Sequence, residues 1–143
     1  MKGKIREIIG DGYERCINII FNTSECNDFW FYFLDEREYA ENGEENSRFI
    51  VGQDIDIEIK VVFVNRYTVV SESEVLGISQ PIKNSSHSKI TAQVMKIIDS
   101  WSTVCDIGLK EDVLVEFEAK IGSIEVGQKI CFTGELKIAF EEN

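Results

Sequence analysis

Residues 51–64 read VGQDIDIEIKVVFV. Ile55, Ile57 and Ile59 alternate with Asp54, Asp56 and Glu58. Successive side chains of a strand point to opposite faces, so this period of two separates an apolar face from a charged one. A helix would scatter both sets around its circumference. The stretch is read as a half-buried strand of an antiparallel sheet. The same alternation returns in Val113, Val115 and Phe117, and in Ile130, Phe132, Leu136 and Ile138. Residues 61–64 and 67–70 are rich in β-branched and aromatic side chains, with Asn65-Arg66 between them as a tight turn. Helix signals are few. Residues 36–45 could hold a short helical turn, and KITAQVMKIID at 89–99 is ambiguous, fitting a helical face and partly fitting a strand.

Working outward from VGQ, a second copy stands at Val126-Gly127-Gln128, again two residues before an isoleucine. Other features recur in the same order. Ile8-Ile9 with Cys16 match Ile97-Ile98 with Cys105, and residues 29–33 match residues 113–117. The spacing between matched features shrinks along the chain, which places the extra residues of the first half between Phe33 and Val51. On this reading residues 89–99 are a strand equivalent to residues 3–9. The chain divides into a first half at 1–78 with an acidic insertion at 35–48, a loop or linker at 79–88, and a second half at 89–143. The fold class is all-β: two pseudo-repeated small barrels, as separate modules or packed as one unit, with few or short helices.

Each half resembles an oligonucleotide/oligosaccharide-binding (OB) barrel. The resemblance rests on Gly3-Lys4-Ile5 opening the first strand and on residues 126–136, VGQKICFTGEL, where glycines before and inside a long strand let it curl. It implies the barrel fold and no ligand residues, because no nucleic-acid-binding motif accompanies it. By size, acidity and want of catalytic motifs, the chain also resembles bacterial immunity proteins, which block a co-produced toxin that is often a basic nuclease.

Charge narrows the function. Of 143 residues, 26 are acidic and 15 basic, for a net charge of −11. That opposes direct binding to nucleic acid, which needs lysine and arginine on one face, and it opposes anionic membranes. It suits a basic protein partner. No signal peptide or apolar run of membrane-spanning length is present, so a cytoplasmic location is expected. Cys16, Cys26, Cys105 and Cys131 form no CxxC pair and are expected as free thiols, with Cys16 and Cys131 as small core residues.

Residues 28–45, DFWFYFLDEREYAENGEE, join five consecutive aromatics to six acids. Phe29, Phe31 and Phe33 belong to one strand face; Trp30, Tyr32 and Leu34 belong to the other. One face enters the core. The other is either covered or forms a partner surface. In the second case Trp30 and Tyr32 are anchors within a rim of Asp35, Glu36, Glu38, Glu41, Glu44 and Glu45, with Asp54, Asp56 and Glu58 as a further acidic row. Aromatics would supply contact energy, and acids would steer a basic partner.

Catalysis has little support. His87, the lone histidine, sits in a serine-rich stretch and is expected as a solvent-exposed bystander. No zinc-ligand spacing exists, and alternate strand residues about 7 Å apart spread Asp54, Asp56 and Glu58 too widely for one cation. Neither a metal nor another cofactor is expected. The residues point to a non-catalytic protein-binding protein, most sharply an immunity-type inhibitor that occludes the basic active site of a toxin such as a nuclease. The alternatives are an OB-type nucleic-acid or small-ligand module stacking its ligand on Trp30, Tyr32 or Trp101, and a structural subunit of a larger assembly.

Overall fold

A computed structural model describes residues 1–21, 28–40 and 49–139. Among them there is no helix, and eleven strands form one sheet system. They are β1 (Lys2–Asp11), β2 (Glu14–Phe21), β3 (Asp28–Leu34), β4 (Asp54–Asp56), β5 (Glu58–Val64), β6 (Tyr67–Val70), β7 (Gly77–Ser79), β8 (His87–Ile97), β9 (Ser102–Asp106), β10 (Val113–Phe117) and β11 (Lys129–Ala139). The alternating stretch is a strand as read: Ile57 and Ile59 are buried, while Asp54, Asp56 and Glu58 are exposed.

Two circuits of pairing share two strands. In the second half the antiparallel meander β8–β9–β10 runs into β5 by a parallel pairing, β5 pairs antiparallel with β11, and β11 returns to β8. Those five strands close a small barrel, compatible with an OB-like one. In the first half the meander β1–β2–β3 meets β11 by a parallel pairing at Tyr32 and Lys137, and β4, which runs into β5 through Ile57, pairs with β1. Each meander is thus completed by strands from both halves of the chain. The core is continuous across them, from Ile5, Ile19 and Phe31 through Val61 and Leu136 to Ile90, Cys105 and Val115.

The internal repeat is visible in the registers. Gly3 pairs with Ile55 as Ala92 pairs with Ile130, and Ile19 with Phe29 as Cys105 with Val113. The register slips between Ile5 and Glu7 in β1, and between the equivalent Val94 and Lys96 in β8. The two VGQ turns are held by matching hydrogen bonds. Gly52 N donates to Ile5 O and Gly127 N to Val94 O, both at 2.7 Å. Gln53 Oε1 accepts from Ile50 N at 3.0 Å, and Gln128 Oε1 from Glu125 N at 2.9 Å. Both glycines lie in the left-handed region, at φ 90° and 94°, where a Cβ is disfavoured. Val61 pairs with Leu136, its own counterpart in the repeat, so a pseudo-two-fold axis passes through that pair; both are fully buried.

Some expectations hold and others are corrected. Asn65-Arg66 is no hairpin turn: β5 and β6 both pair antiparallel with β11, so the dipeptide lies in a kink of one strand path. Residues 89–99 are strand rather than helix through Ile97, as the repeat required. The register equates Cys105 with Ile19 and not with Cys16, because the β8–β9 connection is three residues shorter than its counterpart. Of the proposed helical block at 36–45, Glu36 and Arg37 form a turn and residues 38–40 are without helix, while residues 41–45 lie outside the described residues. Residues 80–86 of the stretch 79–88 are loop as read, exposed at 81–84 and packed at the end, where Ser86 and Ser88 are buried and Leu136 N donates to Ser86 O at 3.2 Å. His87 is half-buried in β8 opposite Glu135, not a free bystander, because the strand begins with it.

Among the cysteines, Cys105 is fully buried, whereas Cys16 and Cys131 are half-buried; Cys26 lies outside the described residues. Burial pushes the thiols of Cys16 and Cys105 up to about 11. Both start from 9.0, so the unfolded chain loses these protons first as pH rises. Stability from these groups is complete below pH 9 and drains away between pH 9 and about 11. Melting temperature should hold up to pH 9 and fall above it, and the fall should shrink in Cys16→Ala/Cys105→Ala. An equal fall in that variant would sink the assignment.

Candidate functional site

The repeat is broken in two places in its first half. The β1–β2 hairpin is three residues longer than the β8–β9 hairpin, and the segment after β3 is nine residues longer than the one after β10. Where they are described, the two additions pack on each other. Gly12 and Ala40 exchange backbone hydrogen bonds, each 2.8 Å, and Asp35 N donates to Tyr13 O at 2.8 Å. Gly12 takes φ 64°, which suits a glycine at this tip.

Arg15 holds the assembly from inside. It is 1% exposed, and its Nη1 donates to Gly12 O at 2.7 Å and Glu14 O at 3.0 Å, while Nη2 donates to Glu38 O at 2.6 Å. A planar guanidinium can serve several carbonyls at once, which a lysine cannot do with the same geometry. Its Nε is buried without a hydrogen-bond partner among the described residues, beside Gly10. Outside this pin, Tyr13 and Tyr39 stack edge to face at 5.3 Å and are 49% and 59% exposed. Leu34, across the ladder from Glu14, is also exposed, and so are Asp11, Glu14 and Glu36, with Arg37 exposed beside Glu36 and the acids in excess. The result is a braced end of the molecule that carries aromatics within an acidic rim.

The residues singled out in the sequence are distributed unevenly over this end. Glu36 is on it, and Glu38 is half-buried with its carbonyl on Arg15. Asp35 is 2% exposed and turned inward, its Oδ1 accepting from Arg37 N at 3.2 Å. Glu41, Glu44 and Glu45 lie outside the described residues. Asp54, Asp56 and Glu58 are elsewhere. Asp54 pairs with Lys4, whereas Ala40 is bridged to Gly12, so the acidic row is eight strand residues away, roughly 25 Å at the usual rise. Part of the row's charge is met locally, by Lys4 Nζ 3.8 Å from Asp54 Oδ1.

Trp30 and Tyr32 are half-buried on the outer face of β3, while Phe31 and Phe33 enter the core. The Gln80 side chain stands in for a neighbouring strand at Trp30: its Oε1 accepts from Trp30 N and its Nε2 donates to Trp30 O, both at 2.8 Å. Tyr32 meets Phe63 edge to face at 6.5 Å, and Lys137 Nζ is 5.9 Å from its ring centre. Burial, then Glu14 and Glu135, pushes the Tyr32 phenol up, so it stays protonated.

Sequence reasoning missed Arg15, Tyr13 and Tyr39. The two tyrosines flank the additions, so aligning the halves would have exposed them. Nothing local marks Arg15, because its carbonyl partners come from two separate loops. Among the described residues no cluster of His, Cys, Asp or Glu could hold a metal ion, and no helix is long and apolar enough to cross a membrane. No protein-family model, curated protein or solved structure matches this chain.

Proposed function

We propose that this chain is a non-catalytic, cytoplasmic protein-binding protein, and in its sharpest form an immunity-type inhibitor. It would dock its acidic aromatic end on the basic active-site cleft of a toxin such as a nuclease, with carboxylates taking the place of substrate phosphates. The supporting observation is that both departures from the internal repeat converge on one braced surface, with Tyr13 and Tyr39 exposed among acids. Large aromatics in a charged rim are what tight interfaces use, and an acidic end on a chain of net charge −11 steers a basic partner. The acids at 41, 44 and 45 extend the same charge in sequence.

The test is capture from source-cell lysate at low and high salt, read by mass spectrometry, with the wild type beside Tyr13→Ala/Tyr39→Ala and Glu41→Lys/Glu44→Lys/Glu45→Lys. One basic protein should be retained by the wild type at low salt, reduced at high salt, and lost from both variants. Its own activity should fall when the wild type is added back. Equal retention by all three proteins, or an uninhibited partner, would end this reading.

One observation favours a second reading, a small-ligand or nucleic-acid module. Phe63 is half-exposed at φ 60°, a strained conformation for a bulky residue, and it leans on Tyr32 beside Lys137. Such a platform suits stacking. Quenching of intrinsic fluorescence by oligonucleotides or nucleosides, lost in Phe63→Ala, would favour it.

A further inference from the structure

Strand β5 departs from the repeat at Phe63. Its counterpart Ile138 is 1% exposed, whereas Phe63 is 50% exposed. The cause is a bulge. Val115 pairs with Val61 and Phe117 with Val64, so three steps along β5 match two along β10. The extra residue puts Val61 and Val62 both inside and turns Phe63 out. Gly134 makes the room, because a Cβ there would meet Val62 O at 2.9 Å and Val64 Cγ2 at 2.8 Å. Phe63 takes φ 60°, a conformation that glycine or asparagine adopts with far less strain. A bulge re-aims a side chain, and strain held at an exposed ring serves no packing in the core.

The re-aimed ring comes to rest beside an unmet charge. Phe63 and Lys137 both lie against the Tyr32 ring, Phe63 at 6.5 Å between centres and Lys137 Nζ at 5.9 Å. Lys60, the partner of Lys137 across the ladder, has its charge met by Glu116 Oε1 at 2.9 Å. Half-buried Lys137 forms no ion pair among the described residues. We propose that Phe63, Tyr32 and Lys137 form a binding site for a small planar aromatic molecule with one anionic group, a carboxylate or a phosphate monoester. The ring of the ligand stacks on Phe63 and its anionic group meets Lys137.

Charge selects this occupant. A neutral ring would leave Lys137 unmet. A chain of phosphates would bring further negative groups toward Glu14 and Glu135, which, after burial, are what push the Tyr32 phenol up, and toward a chain of net charge −11. One anionic group gains the lysine and avoids the acids. A half-buried ammonium is less screened than a fully exposed one, so the pairing counts for more here than on open surface. The inference rests on the reading of this face as a ligand platform and narrows that reading to a small ligand. It does not depend on the protein partner proposed for the Tyr13–Tyr39 end.

Ligand-observed NMR titration of the full chain tests the proposal, comparing adenosine monophosphate with adenosine and naphthoate with naphthamide. At least one anion should bind about tenfold more tightly than its neutral counterpart, and which one does so tells a phosphate ligand from a carboxylate ligand. Lys137→Gln should erase that preference and leave the affinity of the neutral ring. Phe63→Asn, whose new side chain suits φ 60°, should abolish binding of all four with the melting temperature held or raised. An adenylate oligonucleotide should bind no more tightly than the monophosphate. Equal binding of charged and neutral rings, still lost in Phe63→Asn, overturns the charge assignment and leaves the platform standing. No Phe63-dependent binding by any of the four overturns both. Tighter binding of the oligonucleotide overturns the small-ligand class, and a fall in melting temperature in Phe63→Asn gives the strained ring a structural role and overturns the argument from strain.

Discussion

Replacing Arg15 by alanine is expected to cost about 3–4 kcal/mol of stability, and to abolish capture of any partner that uses the Tyr13–Tyr39 end. Three backbone carbonyls, of Gly12, Glu14 and Glu38, depend on this one guanidinium. Each bond to a charged donor contributes more than a neutral one, and each carbonyl left buried without a donor costs free energy. The side chain also fills the space against Gly10, so its removal leaves a void. Lysine should not restore the loss, because one ammonium cannot reproduce the fork. Urea unfolding of Arg15→Ala and Arg15→Lys measures it. A loss below about 1 kcal/mol would mean that water satisfies the carbonyls and that Arg15 is not the pin.

Leu136→Ala should cost about 3–5 kcal/mol and lower the stability of both halves together. Leu136 is fully buried at the pseudo-two-fold axis, paired with Val61. β11 pairs with β8 along its first part and with β5 and β3 along its last, so neither circuit closes without it. The site is tight: a Cβ built on nearby Gly134 would approach Val64 Cγ2 at 2.8 Å, so the surroundings have little freedom to collapse into a cavity. Trp30 lies in the first meander and Trp101 at the tip of the second. Trp30→Phe and Trp101→Phe backgrounds therefore leave one fluorescent reporter in each half. Both reporters should give one coincident transition, displaced equally by Leu136→Ala. Two separate transitions, with only one displaced, would show the halves to be independent and the shared-strand account wrong.

Much of the fold was legible because it is written in local patterns. Alternation at 54–59 marks a strand whatever its partner, and VGQ before each long strand marks the repeat, whose two glycines take the matching φ of 90° and 94°. The spacing between repeated features located the extra residues after β3, and these became part of the candidate site. The sequence favoured a strand at 89–99 only by analogy with 3–9, and the shared register slip shows why the analogy worked.

The site was less legible. Asp35 looked like one more rim acid, yet it is buried, while Asp54, Asp56 and Glu58 belong to a strand at the other end of β1. Acids near one another in sequence, or alike in character, need not share a surface.

On its own the sequence determined the all-β class, the strand faces, the repeated VGQ motif and the doubled order of elements, because side-chain period and short motifs depend on a few neighbouring residues. Only the tertiary structure decided that each meander is closed by strands of both halves, that Arg15 is a buried pin, and that a bulge in β5 turns Phe63 outward. Those outcomes depend on which backbone edges and carbonyls meet across tens of residues, and no local pattern encodes that meeting.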